Sequence, residues 1–135
     1  MTYLLDNNIS FRYAAMLRAL DVDIHALREK FPQNIADAEL LAAMKESDYV
    51  FLTADRRIRT RPIEAKLLRE ARVTALFLAP FWERLTHSKQ AAWLVGHWET
   101  IHGFTSGVAK GTCADLQQNG RSRIFHQRRQ VVDVV

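Results

Sequence analysis

Three aspartates, Asp6, Asp37 and Asp55, each stand where an apolar run gives way to a polar turn or a helix start. Four arginines crowd the third: Arg56, Arg57, Arg59 and Arg61, in "ADRRIRTR". Carboxylates gathered in one place repel unless they are protonated, paired or bridged by a cation. Hard oxygen donors of this kind suit Mg²⁺ or Mn²⁺, and such an ion can activate water or stabilise charge developing on a phosphate. Guanidinium forks hold phosphate oxygens two at a time. Acids followed directly by arginines therefore suggest a metal-dependent cut in an anionic polymer. Asp6, Asp37 and Asp55 would be the metal ligands, one of them a proton acceptor, with Glu39 near enough to join them. The arginines would position substrate, and four phosphate contacts would give a salt slope of roughly −3 on single strands. Each residue also has an ordinary role. Asp6 can start a turn, Asp37 can cap a helix, Asp55 can pair with an arginine, and an arginine run can simply be a solvated face.

The elements that must position these groups alternate. "TYLLD" and "YVFLT" read as strands, as do "VDIHAL", through Val22, Ile24 and Ala26, and "VTALFLA", which Pro80 stops. Between them, "SFRYAAMLRAL" spaces Tyr13, Met16, Leu17 and Leu20 as a helix does. "DAELLAAMKES" stacks Leu40, Leu41 and Met44, with Asp37 at its N-cap. Pro62 suits the first turn of a helix that aligns Ile63, Leu67 and Ala71. In "SKQAAWLVGHWETIHGF", Ala91, Leu94, Val95, Trp98 and Ile101 face inward. "GTCADLQQNGRSRIF" reads as a hairpin around a type I′ turn at Asn119-Gly120. This order predicts an α/β fold with a mainly parallel sheet, helices on both faces and a C-terminal hairpin. One domain over residues 1–135 is expected, with an α/β core over 1–104 and a hairpin and basic tail over 105–135. Ligands of such sheets bind at the carboxyl ends of the strands. Asp6, Asp37 and Asp55 all fall in strand-to-helix connections, so all three are expected on that edge.

Composition narrows the classes without choosing among them. The net charge of +4 rests mainly on arginine, since lysine occurs only at positions 30, 45, 66, 89 and 110. A second basic group, Arg121, Arg123, Arg128 and Arg129, lies in the tail. Cys113 is the single cysteine, which excludes an internal disulfide and a Cys-rich zinc site. No apolar stretch is long enough to span a bilayer, and "MTYLLDNNIS" lacks the features of a signal peptide. A cytoplasmic protein is expected. Trp93, Trp98, Phe77 and Phe81 are expected in the core or an interface.

"YLLDNNIS", "NIADAELLAAM" and "VFLTADRRI" together resemble the PIN-like proteins, in particular the compact subgroup related to VapC-type toxins. The resemblance spans roughly residues 2–80. It implies a metal-dependent endoribonuclease using Mg²⁺ or Mn²⁺, with Asp6, Asp37 and Asp55 at the acidic positions and Thr53 and Asn7 in support. It also implies a toxin–antitoxin setting with an antitoxin protein over the site, and a homodimer. Two positions depart from the pattern. Asn7 stands where relatives commonly carry an acid, and Arg57 where they often carry a second aspartate after the "T-x-D" acid. These losses favour an alternative, a PIN-like module that binds RNA or protein without cutting. A phosphoacceptor receiver domain fits less well, because "LFLAP" ends in Ala79 without a hydroxyl and Lys110 is followed by Gly111 rather than proline.

Overall fold

The computed structural model describes residues 1–126. Arg128 and Arg129, half of the second basic group, lie outside the described residues. Six strands form one sheet: β1 (Thr2–Leu5), β2 (Ile24–Ala26), β3 (Tyr49–Thr53), β4 (Thr74–Leu78), β5 (Cys113–Leu116) and β6 (Ser122–His126). Their spatial order is β2-β1-β3-β4-β5-β6. The first five are parallel and β6 returns antiparallel to β5.

Every residue from Val50 to Thr53 and from Thr74 to Leu78 is buried. That continuous burial is what a parallel strand covered on both faces requires. Period-two alternation then sorts the side chains into two cores. Tyr3, Leu5, Val50, Leu52, Leu76, Leu78, Ala114 and Leu116 join α1 (Phe11–Ala19) and α6 (His87–Gly107) on one face. Leu4, Phe51, Ala75, Phe77 and Cys113 join α3 (Asp37–Lys45) and α5 (Pro62–Glu70) on the other. The single turns α2 (Leu27–Lys30) and α4 (Arg57–Thr60) contribute Leu27 and Ile58 to that second core. A 3-10 helix, Pro80–Arg84, inserts Phe81 and Trp82 into the first. The expected three-layer α/β/α sandwich is present.

Details differ from the sequence expectation for local reasons. The N-cap of α3 is Ala36, with Asp37 the first helical residue and no side-chain cap. Asp37 still gains from the helix dipole, and no helix amide ties up its carboxylate. Val95 and Leu20 turn outward at 44% and 55% exposure, and Ile63 at 73%, while Trp93, Ala14 and Leu68 are buried. The hairpin closes through Gly120, whose amide donates to the Gln117 carbonyl at 2.8 Å. Among residues 117–121 only Gly120 has positive φ (83°), so this is not a type I′ turn, which needs two such residues. Gly120 packs so tightly on the His97 ring that a Cβ there would collide with it. The hairpin is also no appendage, since β5 extends the parallel sheet beside β4. Among the described residues no helix is long and apolar enough to cross a membrane.

Candidate active site

The strand order reverses between β1 and β3, because the chain leaves β1 for β2 on one side and returns to β3 on the other. That reversal opens a crevice at the carboxyl ends of β1 and β3, where ligands of open α/β sheets bind. Asp6 follows β1 directly and its amide donates to the Leu52 carbonyl at 2.9 Å, which seats it beside Thr53. Asp55 lies two residues beyond the end of β3. Asp37 opens α3 on the face that covers Leu4 and Phe51.

Thr53 is the hub. Its buried hydroxyl donates to Asp6 Oδ2 at 2.7 Å, and it accepts from the Asp55 amide at 3.0 Å and from Asn8 Nδ2 at 3.3 Å. One donor and two lone pairs are thereby all used. Asn8 completes the brace by accepting from the Ala54 amide at 3.2 Å. The Asn7 amide holds Asp6 Oδ1 at 2.7 Å, while its side chain points to the Gln33 carbonyl in the loop before α3. Asn8 was not singled out in the sequence. Its signal is the doubled asparagine of "DNN", whose second amide is the one that reaches Thr53.

The electrostatics tie the acids together. Burial pushes the Asp6 carboxyl up from its ordinary value; the bonds from Thr53 and Asn7 oppose this, and the charges of Asp55 and Asp37 add to the rise. Asp6 thus feels both other acids across the crevice. Asp55 moves the opposite way, because Arg57 hydrogen-bonds to it and stabilises its charge. The contact is a fork: Arg57 Nε to Oδ1 at 2.9 Å and Nη2 to Oδ2 at 3.0 Å, with the Arg57 amide also on Oδ1 at 3.0 Å. Glu39 lies exposed on the first turn of α3.

The arginine run divides. Arg56 and Arg59, three apart and so on one side of the turn, both bond Asp115 Oδ1, Arg56 at 3.2 Å. Asp115 sits on β5 in register with Phe77, which is itself in register with Thr53. It is a further acid, in the row that holds Thr53, and was not singled out in the sequence; its signal is the one charge in "CADL", two residues from Cys113 on the same face. Arg59 also lies over the Phe125 ring at 4.1 Å. Arg57 and Arg61 remain on the outside, and among the described residues Arg61 has an ion pair with Glu64 alone, at 3.7 Å. Beside Asp55 and Arg57 runs an open cleft of about 460 Å³, lined also by Asn8, Trp82, Glu83 and Gln90. Gln90 is held in place there, donating to the Trp82 carbonyl and accepting from the Tyr13 hydroxyl.

A family model described as a PIN like domain matches residues 1–80, more than half of the chain. The chain is a PIN-like domain protein. Its six-stranded, mostly parallel sheet between helices agrees with that assignment. The match takes in Asp6, Asp37, Asp55 and the arginine run and stops before α6 and the hairpin. Comparison with curated proteins and with solved structures returned no match. PIN-like domains are commonly nucleases.

The carboxylate oxygens are the right donor type for Mg²⁺ or Mn²⁺. Their placement does not fit such an ion as it stands. Among the described residues, no three Asp, Glu, His or Cys side chains are arranged to share one metal. Both oxygens of Asp55 are taken by Arg57.

Proposed function

We propose that this PIN-like protein is an endoribonuclease whose substrate crosses the crevice between β1 and β3. The observation that supports it most is the placement of Asp6, half-buried at the reversal of strand order, where loss of solvent raises its pKa and the charges of Asp55 and Asp37 add to the rise. A carboxylate set among two others at that edge is costly to hold charged, and Asp6 carries that cost. In this reading Thr53, Asn7 and Asn8 hold Asp6 and the loop after β3 in place. Arg57 and Arg61 supply the outward positive charge for the RNA backbone, and the cleft beside them takes the chain. Mg²⁺ or Mn²⁺ is the cofactor this reading expects, and seating it on Asp6, Asp37 and Asp55 would require these carboxylates to rearrange, since Arg57 occupies both oxygens of Asp55. Control by an antitoxin-like protein covering this edge belongs to the same proposal.

The test is cleavage of a mixed RNA pool with Mn²⁺ or Mg²⁺, with and without chelator, by wild type and by Asp6→Asn and Asp55→Asn. Chelator-sensitive cleavage lost in both variants is expected. A second reading, RNA binding without cutting, is favoured by the Arg57 fork on Asp55. It calls for RNA affinity that chelator leaves untouched and no cleavage under any condition.

A further inference from the structure

The cluster at Asp115 is not neutral. Arg56 and Arg59 both reach Asp115 Oδ1, and among the described residues no other acid pairs with either, so two guanidinium charges meet one carboxylate. Arg59 is the more enclosed of the two, restrained by the Phe125 ring 4.1 Å away. Only its Nη1 is hydrogen-bonded among the described residues, which leaves Nε and Nη2 to donate elsewhere. Beside it, between α5 and β6, lies a cavity of about 150 Å³. Arg59, Arg69 and His126 line it together with Leu68, Cys113 and Phe125, and among the described residues no acid does. Burial pushes the Cys113 thiol up to about 11, so it stays protonated and supplies no counter-charge. Unbalanced charge with this little solvent is costly, and an anion in the cavity would remove the cost.

We propose that this cavity binds a single phosphate group, as the free ion or as a phosphomonoester, held by Arg59, Arg69 and His126. Arg56, Arg59 and Arg69 set three positive charges against the one negative charge of Asp115, and a phosphate of about −2 at neutral pH makes up the difference. Guanidinium edges match phosphate oxygens in pairs, and His126 has a ring N–H to donate in either charge state. Pockets for drug-sized ligands run from roughly 300 to 1,000 Å³, so this smaller one suits one tetrahedral oxyanion, with any attached group left at its mouth. The three holders come from α4, α5 and β6, so the bound anion ties the hairpin to the helix beside it. Cys113 opens β5 and pairs with His126, which sets the site apart from Asp6 and Asp55 beyond the carboxyl ends of β1 and β3. The proposal needs no metal and does not depend on the nuclease reading.

The test is titration of the full chain with inorganic phosphate and with methyl phosphate at constant ionic strength, followed by proton–nitrogen NMR. Saturable shifts are expected at the Arg59 Nε–H and at the amides of Leu68, Arg69, Cys113 and His126, with chloride producing none. Arg69 is exposed, so Arg69→Ala should fold as wild type does, checked by a thermal melt, and should bind about tenfold more weakly. Arg69→Lys, which keeps the charge without the fork, should fall between the two. Lys45→Ala alters a separate basic cavity that carries Glu46 and Glu70 among its own walls, and should bind as wild type does. Methyl phosphate binding as tightly as inorganic phosphate, or more so, assigns the site to a phosphomonoester, and its exclusion assigns the site to the free ion. No saturable shift in wild type, equal affinity in wild type and Arg69→Ala, or weakening in Lys45→Ala alone overturns the proposal.

Discussion

Two arginine–aspartate clusters draw on arginines a few residues apart in sequence and behave as opposites. At Asp115, Arg56 and Arg59 converge on one carboxylate that is 14% exposed, and Arg59 is 21% exposed with Phe125 against its face. At Asp55, a single arginine that is 69% exposed closes the fork. The first cluster joins the loop after β3 to the β5–β6 hairpin, which lies beyond the family match. The second joins a site residue only to its own neighbour. Aromatic packing and low exposure make the first a lock, and solvent makes the second a latch. One run of like residues thus serves stability with one face of a helical turn and the site with the other.

Breaking the lock should have the largest effect on folding. Asp115→Ala strands Arg56 and Arg59, and should cost about 3 kcal/mol in urea unfolding, the low end for a broken buried pair because Arg56 is partly exposed. Thr53→Val comes next. It removes the hydroxyl shared by Asp6, Asn8 and the Asp55 amide, and should cost roughly 1–3 kcal/mol while keeping side-chain volume. Cleavage should fall further than stability in this variant, since two acids lose their support.

The division of the arginines sharpens the salt dependence. With Arg56 and Arg59 committed to Asp115, Arg57 and Arg61 are left to meet phosphate, and the slope for single-stranded RNA becomes about −1.4 rather than −3. Titrations from low to moderate salt separate these values; a slope near −3 would mean that the lock opens on binding. Arg57→Ala should be the mildest change, a small fall in stability at neutral pH, and the gap from wild type should close in acid. Arg57 holds the Asp55 carboxyl below its unfolded value, so this pair contributes stability that is complete above the unfolded pKa and lost as pH falls through the folded one. The acid-side loss should be shallower in Arg57→Ala than in wild type.

The fold, and the position of the acids just beyond the strand ends, were largely legible because both follow from short-range pattern. Alternating apolar runs fixed which strands are covered on two faces, and Asp6, Asp37 and Asp55 were placed by where those runs end. The division of the arginines was not legible. It depends on Asp115, some sixty residues away, arriving on β5 in register with Phe77. Equally, nothing in "ADRRIRTR" says that Arg57 folds back on Asp55 while Arg56 reaches across the sheet. The turn at Gly120 was misread for a related reason: "NG" is a strong local signal, but the Trp93 indole donates to the Gln118 carbonyl at 2.9 Å and fixes a longer loop against α6.

The central claim is that function resides at the β1–β3 crevice, and hydrogen exchange with a 2′-O-methyl oligoribonucleotide bound and absent tests it most directly. Slowed exchange is expected at the amides of Asn7, Asn8 and residues 54–57, with little change at the far edge around Lys45 and Lys110. Slowing confined to β6 or to that far edge, with the crevice amides unchanged, would contradict the claim.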